Sequence, residues 1–253
     1  MKKYLALLLC LLCVGCSAPN PLSQSDFRFQ VNPAMPYMVA SWHKITKTGA
    51  PLKVYIEGEG TTLATGTENN PTPQTLFLRE MAAEDSSPNV VYLSRPCQYI
   101  TPPNCTAKDW TGNRFSVAVI NSMDTVVQSL MRKAGTNQVI LIGYLDGATV
   151  AGLLATTHPT QVKKLITVAG VLDHEAWTTY QQKEPLSGSL NLKDYKNTLK
   201  QISQHHYVGE KDTLVPPHLT QQFIDDENQI TVVKGATHQK GFSRIYPEIW
   251  AVQ

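Results

Sequence analysis

Two periodicities interleave along the chain. Short runs of β-branched and aromatic residues at 37–45, 52–56, 90–93, 138–142, 164–168, 206–208 and 230–233 predict strands. Apolar residues at helical spacing predict helices over 76–83, 115–131, 149–155, 219–224 and 241–250. Strands and helices alternate for most of the length. That alternation predicts an α/β fold with a mostly parallel sheet and helices on both faces. Ligands of such sheets bind beyond the carboxyl ends of the strands. Residues 16–36 are polar with several prolines and read as a tether, leaving residues 37–253 as one domain. The mixed stretch 171–203 is the one candidate for a small cap.

The composition narrows the function. Of 253 residues, 42% are hydrophobic and 17% charged, which supports a sizeable core and argues against a disordered chain. With 22 basic and 20 acidic residues and no basic block, the electrostatic case for nucleic-acid binding is missing. No uninterrupted apolar run reaches the 18 or so residues that an ordinary membrane-spanning helix needs.

The first residues read as an export signal. Lys2 and Lys3 precede an apolar run from Tyr4 to Val14, and the small Gly15 stands just before Cys16. Cys13-Val14-Gly15-Cys16 resembles a bacterial lipobox, with Cys13 where leucine is usual. The expectation is a signal peptide over 1–15, a lipid on Cys16, and an anchor in the outer membrane facing the periplasm. Ser17 rather than aspartate follows the cysteine, so nothing marks inner-membrane retention. The alternative is plain secretion with an unmodified thiol at position 16.

Export changes how the cysteines read. Once Cys10 and Cys13 leave with the signal and Cys16 is acylated, Cys97 and Cys105 remain in a loop with three prolines. An oxidising compartment predicts a disulfide between them. No second Cys/His pair lies nearby with metal-ligand spacing, so no metal site is expected.

The segment 138–148 carries the chemistry. A strand leads into Gly143-Tyr144-Leu145-Asp146-Gly147-Ala148, and an apolar helix follows. Strand, sharp turn and helix, with small residues two before and two after the tip, are the context of a nucleophile elbow. The spacing of Gly143 and Gly147 puts the tip at Leu145, where a serine is expected. Downstream, Asp212 follows one strand and His238 follows the next, in the order nucleophile, acid, base. Glu57-Gly58-Glu59-Gly60 follows an early strand, where Gly58 or Glu59 would give one oxyanion-hole N–H and Asp146 the other.

With these residues the chain resembles bacterial α/β-hydrolase-fold lipoproteins that have a Gly-Tyr-Ser-Gly-Gly elbow. The resemblance spans about 37–250. Its further motifs are Tyr55-Ile56-Glu57-Gly58-Glu59-Gly60, Arg95-Pro96-Cys97-Gln98-Tyr99, Leu172-Asp173-His174-Glu175-Ala176-Trp177 and Pro185-Leu186-Ser187-Gly188-Ser189-Leu190-Asn191. It implies an esterase-like hydrolase with no cofactor and an undefined substrate; a small ester or acyl ligand is the expected partner class. Asp212 and His238 then match the acid and base, Leu145 the nucleophile position, and Asp146 replaces a glycine. Val171 stands where asparagine is frequent.

Leucine has no oxygen to attack a carbonyl, and losing a triad nucleophile costs on the order of 10⁶ in turnover. An inactive hydrolase scaffold is therefore expected. One alternative is an active hydrolase using Asp146, with the turn shifted by one residue and Tyr144 at a position that must be small, or using a water activated by His238. Another is a non-catalytic periplasmic binding protein. Packing or solvation is the expectation for Trp110, Trp177, Glu57 and Glu59, and a structural hydrogen bond for His174. The sequence leaves the oligomeric state open.

Overall fold

The computed structural model describes residues 20–58 and 71–253. Among them, β1 (Arg28–Ala34), β2 (Tyr37–Ile45), β3 (Leu52–Ile56), β4 (Asn89–Leu93), β5 (Val139–Tyr144), β6 (Val162–Val168), β7 (Gln204–Gly209) and β8 (Ile230–Val233) form one sheet. Its order is β1-β2-β4-β3-β5-β6-β7-β8. β2 runs antiparallel to β1 and β4, and every other pairing is parallel. The central strands β3, β4 and β5 are buried at every position, as strands covered on both faces must be.

Two apolar layers flank the sheet. On one face lie α2 (Val117–Ala134) and α3 (Asp146–Thr157), whose buried side chains join Val54, Val91 and Leu141 in one cluster. Ser116 caps α2 by accepting from the Val119 N–H, and Gly135 ends it in the left-handed region at φ 63°. The opposite face carries α1 (Phe77–Glu84) and α7 (Tyr246–Trp250), packed on Tyr55, Tyr92 and Ile142. Lys53 fastens α7 to β3. Its buried ammonium donates to the Trp250 carbonyl at 2.7 Å and lies 3.4 Å from the Asp85 carboxylate.

The expected tether is folded from Asn20 onward. Pro21–Gln24 forms a 3-10 turn capped by the Asn20 side chain, and Leu22 is fully buried. β1 then pairs with β2 over its whole length. Its pattern is inverted. The polar Asn32 is buried, donating from Nδ2 to the Val39 carbonyl and the Ser41 hydroxyl, both at 2.9 Å, while Phe29 and Val31 point outward. Residues 1–19, with the signal segment and Cys16, lie outside the described residues.

Between β6 and β7, in the stretch expected as a cap, lie α4 (His174–Tyr180) and α5 (Lys196–Leu199). Trp177 is buried and donates its indole N–H to the Leu214 carbonyl at 3.0 Å, tying α4 to the loop after β7. His174 is buried beside the Phe115 ring, where desolvation lowers its pKa. α6 (Pro217–Phe223) joins β7 to β8. No helix among the described residues is long and apolar enough to cross a membrane.

Candidate active site

Leu145 is the tip of the turn between β5 and α3. Its backbone sits at φ 53° and ψ −118°, a strained conformation for a residue with a γ-branched side chain. Three hydrogen bonds hold it there. The Leu145 N–H donates to the Val168 carbonyl at 3.3 Å, and the Leu145 carbonyl accepts from Ala148 and Val171, each at 3.1 Å. The flanking glycines are sterically required. A Cβ on Gly143 would stand 2.4 Å from the Gly147 carbonyl oxygen, and one on Gly147 would stand 2.1 Å from that of Ile56. Asp146 could not take the tip, because Tyr144 would then stand where Gly143 stands and only a small residue fits. The Leu145 side chain is 3% exposed and belongs to the apolar cluster of Tyr144, Val168 and Val171.

The acid and base meet. Asp212 Oδ2 lies 2.8 Å from His238 Nδ1, while Oδ1 accepts from the Leu214 and Val215 N–H groups at 2.8 and 2.9 Å. The loop after β8 is pressed against the end of β7, since a Cβ on Gly209 would meet the Ala236 carbonyl at 2.9 Å. Lys211 N–H reaches the same carbonyl at 2.8 Å. With the proton on Nδ1 toward Asp212, Nε2 presents a lone pair. That atom is buried and has no hydrogen-bond partner among the described residues. In a serine hydrolase it is the atom that takes the nucleophile's proton. The ring of Tyr144, the residue before the tip, lies 5.3 Å from the His238 ring.

Asp146 is held by two arginines. Its carboxylate is buried and accepts from Arg114 at 2.9 Å and Arg95 at 3.2 Å. Burial alone would raise its pKa; the Arg114 and Arg95 guanidiniums outweigh that and hold it below the ordinary value. A carboxylate clamped between two arginines, at the first turn of a helix, is well stabilised as an anion and poorly free to attack.

The oxyanion side is altered as well. Glu57, expected to be solvated or capping, is instead only 1% exposed and bonded within the core. Its Oε1 accepts the Gly58 N–H at 2.9 Å, and its Oε2 accepts the Tyr92 hydroxyl. The Tyr92 hydroxyl in turn lies 2.7 Å from that of Tyr99. Burial raises the Glu57 pKa, against the pull of the Tyr92 hydroxyl, the Gly58 N–H and the cations Arg79 and Arg95. The Gly58 N–H expected in an oxyanion hole is thus already engaged by an acid. Glu59 lies outside the described residues.

The motif at 95–99 links these parts. Arg95 bonds Asp146, Gln98 Nε2 donates to the Gly58 carbonyl at 2.8 Å, and the Tyr99 N–H donates to the Thr72 hydroxyl at 2.7 Å. Cys97 is disulfide-bonded to Cys105 in the same loop. Sequence reasoning missed the roles of Tyr92, Arg95 and Arg114. The available signal was an arginine-bearing motif with no assigned task.

No protein-family model and no curated protein sequence matches the chain. Solved structures do. An alpha-beta serine hydrolase homologue from Coxiella burnetii superposes with a TM-score of 0.58 at 15% identity, over 89% of this chain and 94% of that one. The chain has the α/β-hydrolase fold. Est1E from Butyrivibrio proteoclasticus aligns over 88% of this chain and 94% of its own, with a TM-score of 0.59 and 12% identity. XC6422 from Xanthomonas campestris, a serine hydrolase without a lid, aligns over 88% and 90% with a TM-score of 0.55 and 14% identity. On this fold the turn at Leu145 and the Asp212–His238 pair both follow strands of one sheet.

Proposed function

We propose that this is an exported, lipid-anchored α/β-hydrolase-fold protein of esterase ancestry that does not perform triad hydrolysis and instead binds a small ester or acyl ligand. The observation that carries the proposal is Leu145 at the strained tip of an otherwise complete elbow. A hydrocarbon there offers no nucleophile, and the first oxyanion donor is occupied by Glu57. The buried Nε2 of His238, without a hydrogen-bond partner among the described residues, is the atom a ligand oxygen or hydroxyl would satisfy. Use of Asp146 as nucleophile is disfavoured by its two arginine partners and by the glycine positions that fix the tip at Leu145. The pattern ending at Gly15-Cys16 supports the anchor and a place in the outer membrane facing the periplasm.

The test pairs turnover with binding. Purified protein is assayed for p-nitrophenyl butyrate hydrolysis beside Asp146→Asn, and titrated calorimetrically with butyrate beside His238→Ala. The reading predicts equal background hydrolysis in the first pair and heat of binding that His238→Ala removes. Hydrolysis abolished by Asp146→Asn would replace it with a covalent aspartate mechanism.

A further inference from the structure

The inverted strand β1 leaves an apolar surface that the fold does not cover. Pairing sets Phe29 opposite Trp42, Val31 opposite Ala40 and Pro33 opposite Met38. These six side chains share the sheet face away from α2; Ala40 and Trp42 are buried, which leaves Phe29, Val31, Pro33 and Met38 as its exposed apolar positions. Phe29 is 52% exposed, Val31 37% and Met38 46%, and Met35 at the hairpin tip is 86% exposed. Edge hairpins of soluble proteins are usually guarded by charges on their open side. A contiguous apolar patch on a protein surface marks a binding surface or a lipid contact.

We infer that this hairpin face is the surface on which the domain rests against the lipid bilayer. The inference rests on the proposed anchor at Cys16. Only four peptide steps separate Cys16 from Asn20, the first of the described residues. Fully extended, they reach about 14 Å at most. A domain held that close must press some face on the headgroup region. The exit point is on the right side of the sheet, because Leu22 and Phe27, which lead from Asn20 into β1, belong to the same apolar cluster as Ala40 and Trp42. β1 runs parallel to β4 and β5, so the tip at Met35-Pro36 lies at the same end of the sheet as Leu145, with β2, β4 and β3 between them. The bilayer would therefore meet the domain at its β1–β2 side, with the hairpin tip at the end of the sheet that holds Leu145.

The experiment compares hydrogen exchange of the full lipidated chain on phosphatidylcholine vesicles with that of Cys16→Ser in solution. Peptides covering 28–42 should exchange roughly tenfold more slowly on vesicles, while peptides covering 217–233 stay unchanged. Val31→Asp combined with Met38→Asp should still float with the vesicles and lose that protection; both sites are exposed, and a thermal melt checks that the variant folds. A wild-type chain that floats with vesicles yet shows no protection at 28–42 would overturn the surface and leave the anchor standing. A chain without diacylglycerol on residue 16 by intact mass would overturn both. Protection that appears without vesicles and grows with protein concentration would assign the face to a second copy and overturn the lipid contact.

Discussion

The two halves of the candidate site differ sharply. The acid–base half keeps the geometry a hydrolase needs: Asp212 is oriented by two backbone N–H groups and holds His238 by its Nδ1 at 2.8 Å. The nucleophile half keeps only the backbone. Its tip is hydrocarbon, the Gly58 N–H proposed for the oxyanion hole is bonded to Glu57, and the residue after the tip is an anion locked between Arg95 and Arg114. Backbone requirements and chemical requirements are therefore separable in this fold. The glycines persist because carbonyls would collide with any Cβ, whatever the tip residue does.

The largest expected effect is on the rebuilt half. Asp146→Ala leaves two buried guanidiniums facing each other without their shared anion, and should cost about 3–5 kcal/mol in chemical denaturation. A cost below 1 kcal/mol would mean that the arginines find other partners and that the carboxylate is free for another role.

The next test restores the missing chemistry in steps. Leu145→Ser alone should hydrolyse p-nitrophenyl butyrate only weakly, since Gly58 N–H remains engaged. Adding Glu57→Ala frees that donor and should raise kcat by about 10²–10³-fold, the usual worth of one oxyanion donor. Equal rates for the single and double variants would show that Gly58 is not an oxyanion donor.

The disulfide braces the loop that bears Arg95. Replacing Cys97 and Cys105 together with alanine should destabilise the folded state by roughly 2–3 kcal/mol, from the entropy of the closed loop. The melting temperature of the purified variant reads this directly.

The smallest effect concerns pH. Burial raises the Glu57 pKa, so the folded chain holds that proton more tightly than the unfolded chain. Its contribution is present below the unfolded value and is lost as pH rises through the folded one. Glu57→Gln should flatten that fall, seen as a smaller drop in unfolding free energy from pH 4.5 upward relative to wild type. An unchanged slope would mean that Glu57 titrates normally.

Much of this was legible in the chain. The glycine spacing located Leu145, and Asp212 and His238 were found by following strands, because those signals are local. β2, β3 and β8 were legible to the residue for the same reason. β1 was not. Its residues are polar with prolines and read as part of a tether, whereas in the fold Asn32 is satisfied by Ser41 and Val39 across the hairpin and takes the inner side. The Asp146 clamp was hidden as well, since Arg95 and Arg114 stand 51 and 32 positions away in the sequence and only the fold brings them together.

The central claim is that an intact acid–base pair here has no nucleophile to serve. Its most direct measurement is kcat/KM for a short acyl ester in wild type and His238→Ala under identical conditions. The account predicts the same value for both, at the level of the uncatalysed background. Wild-type turnover that His238→Ala abolishes would contradict it.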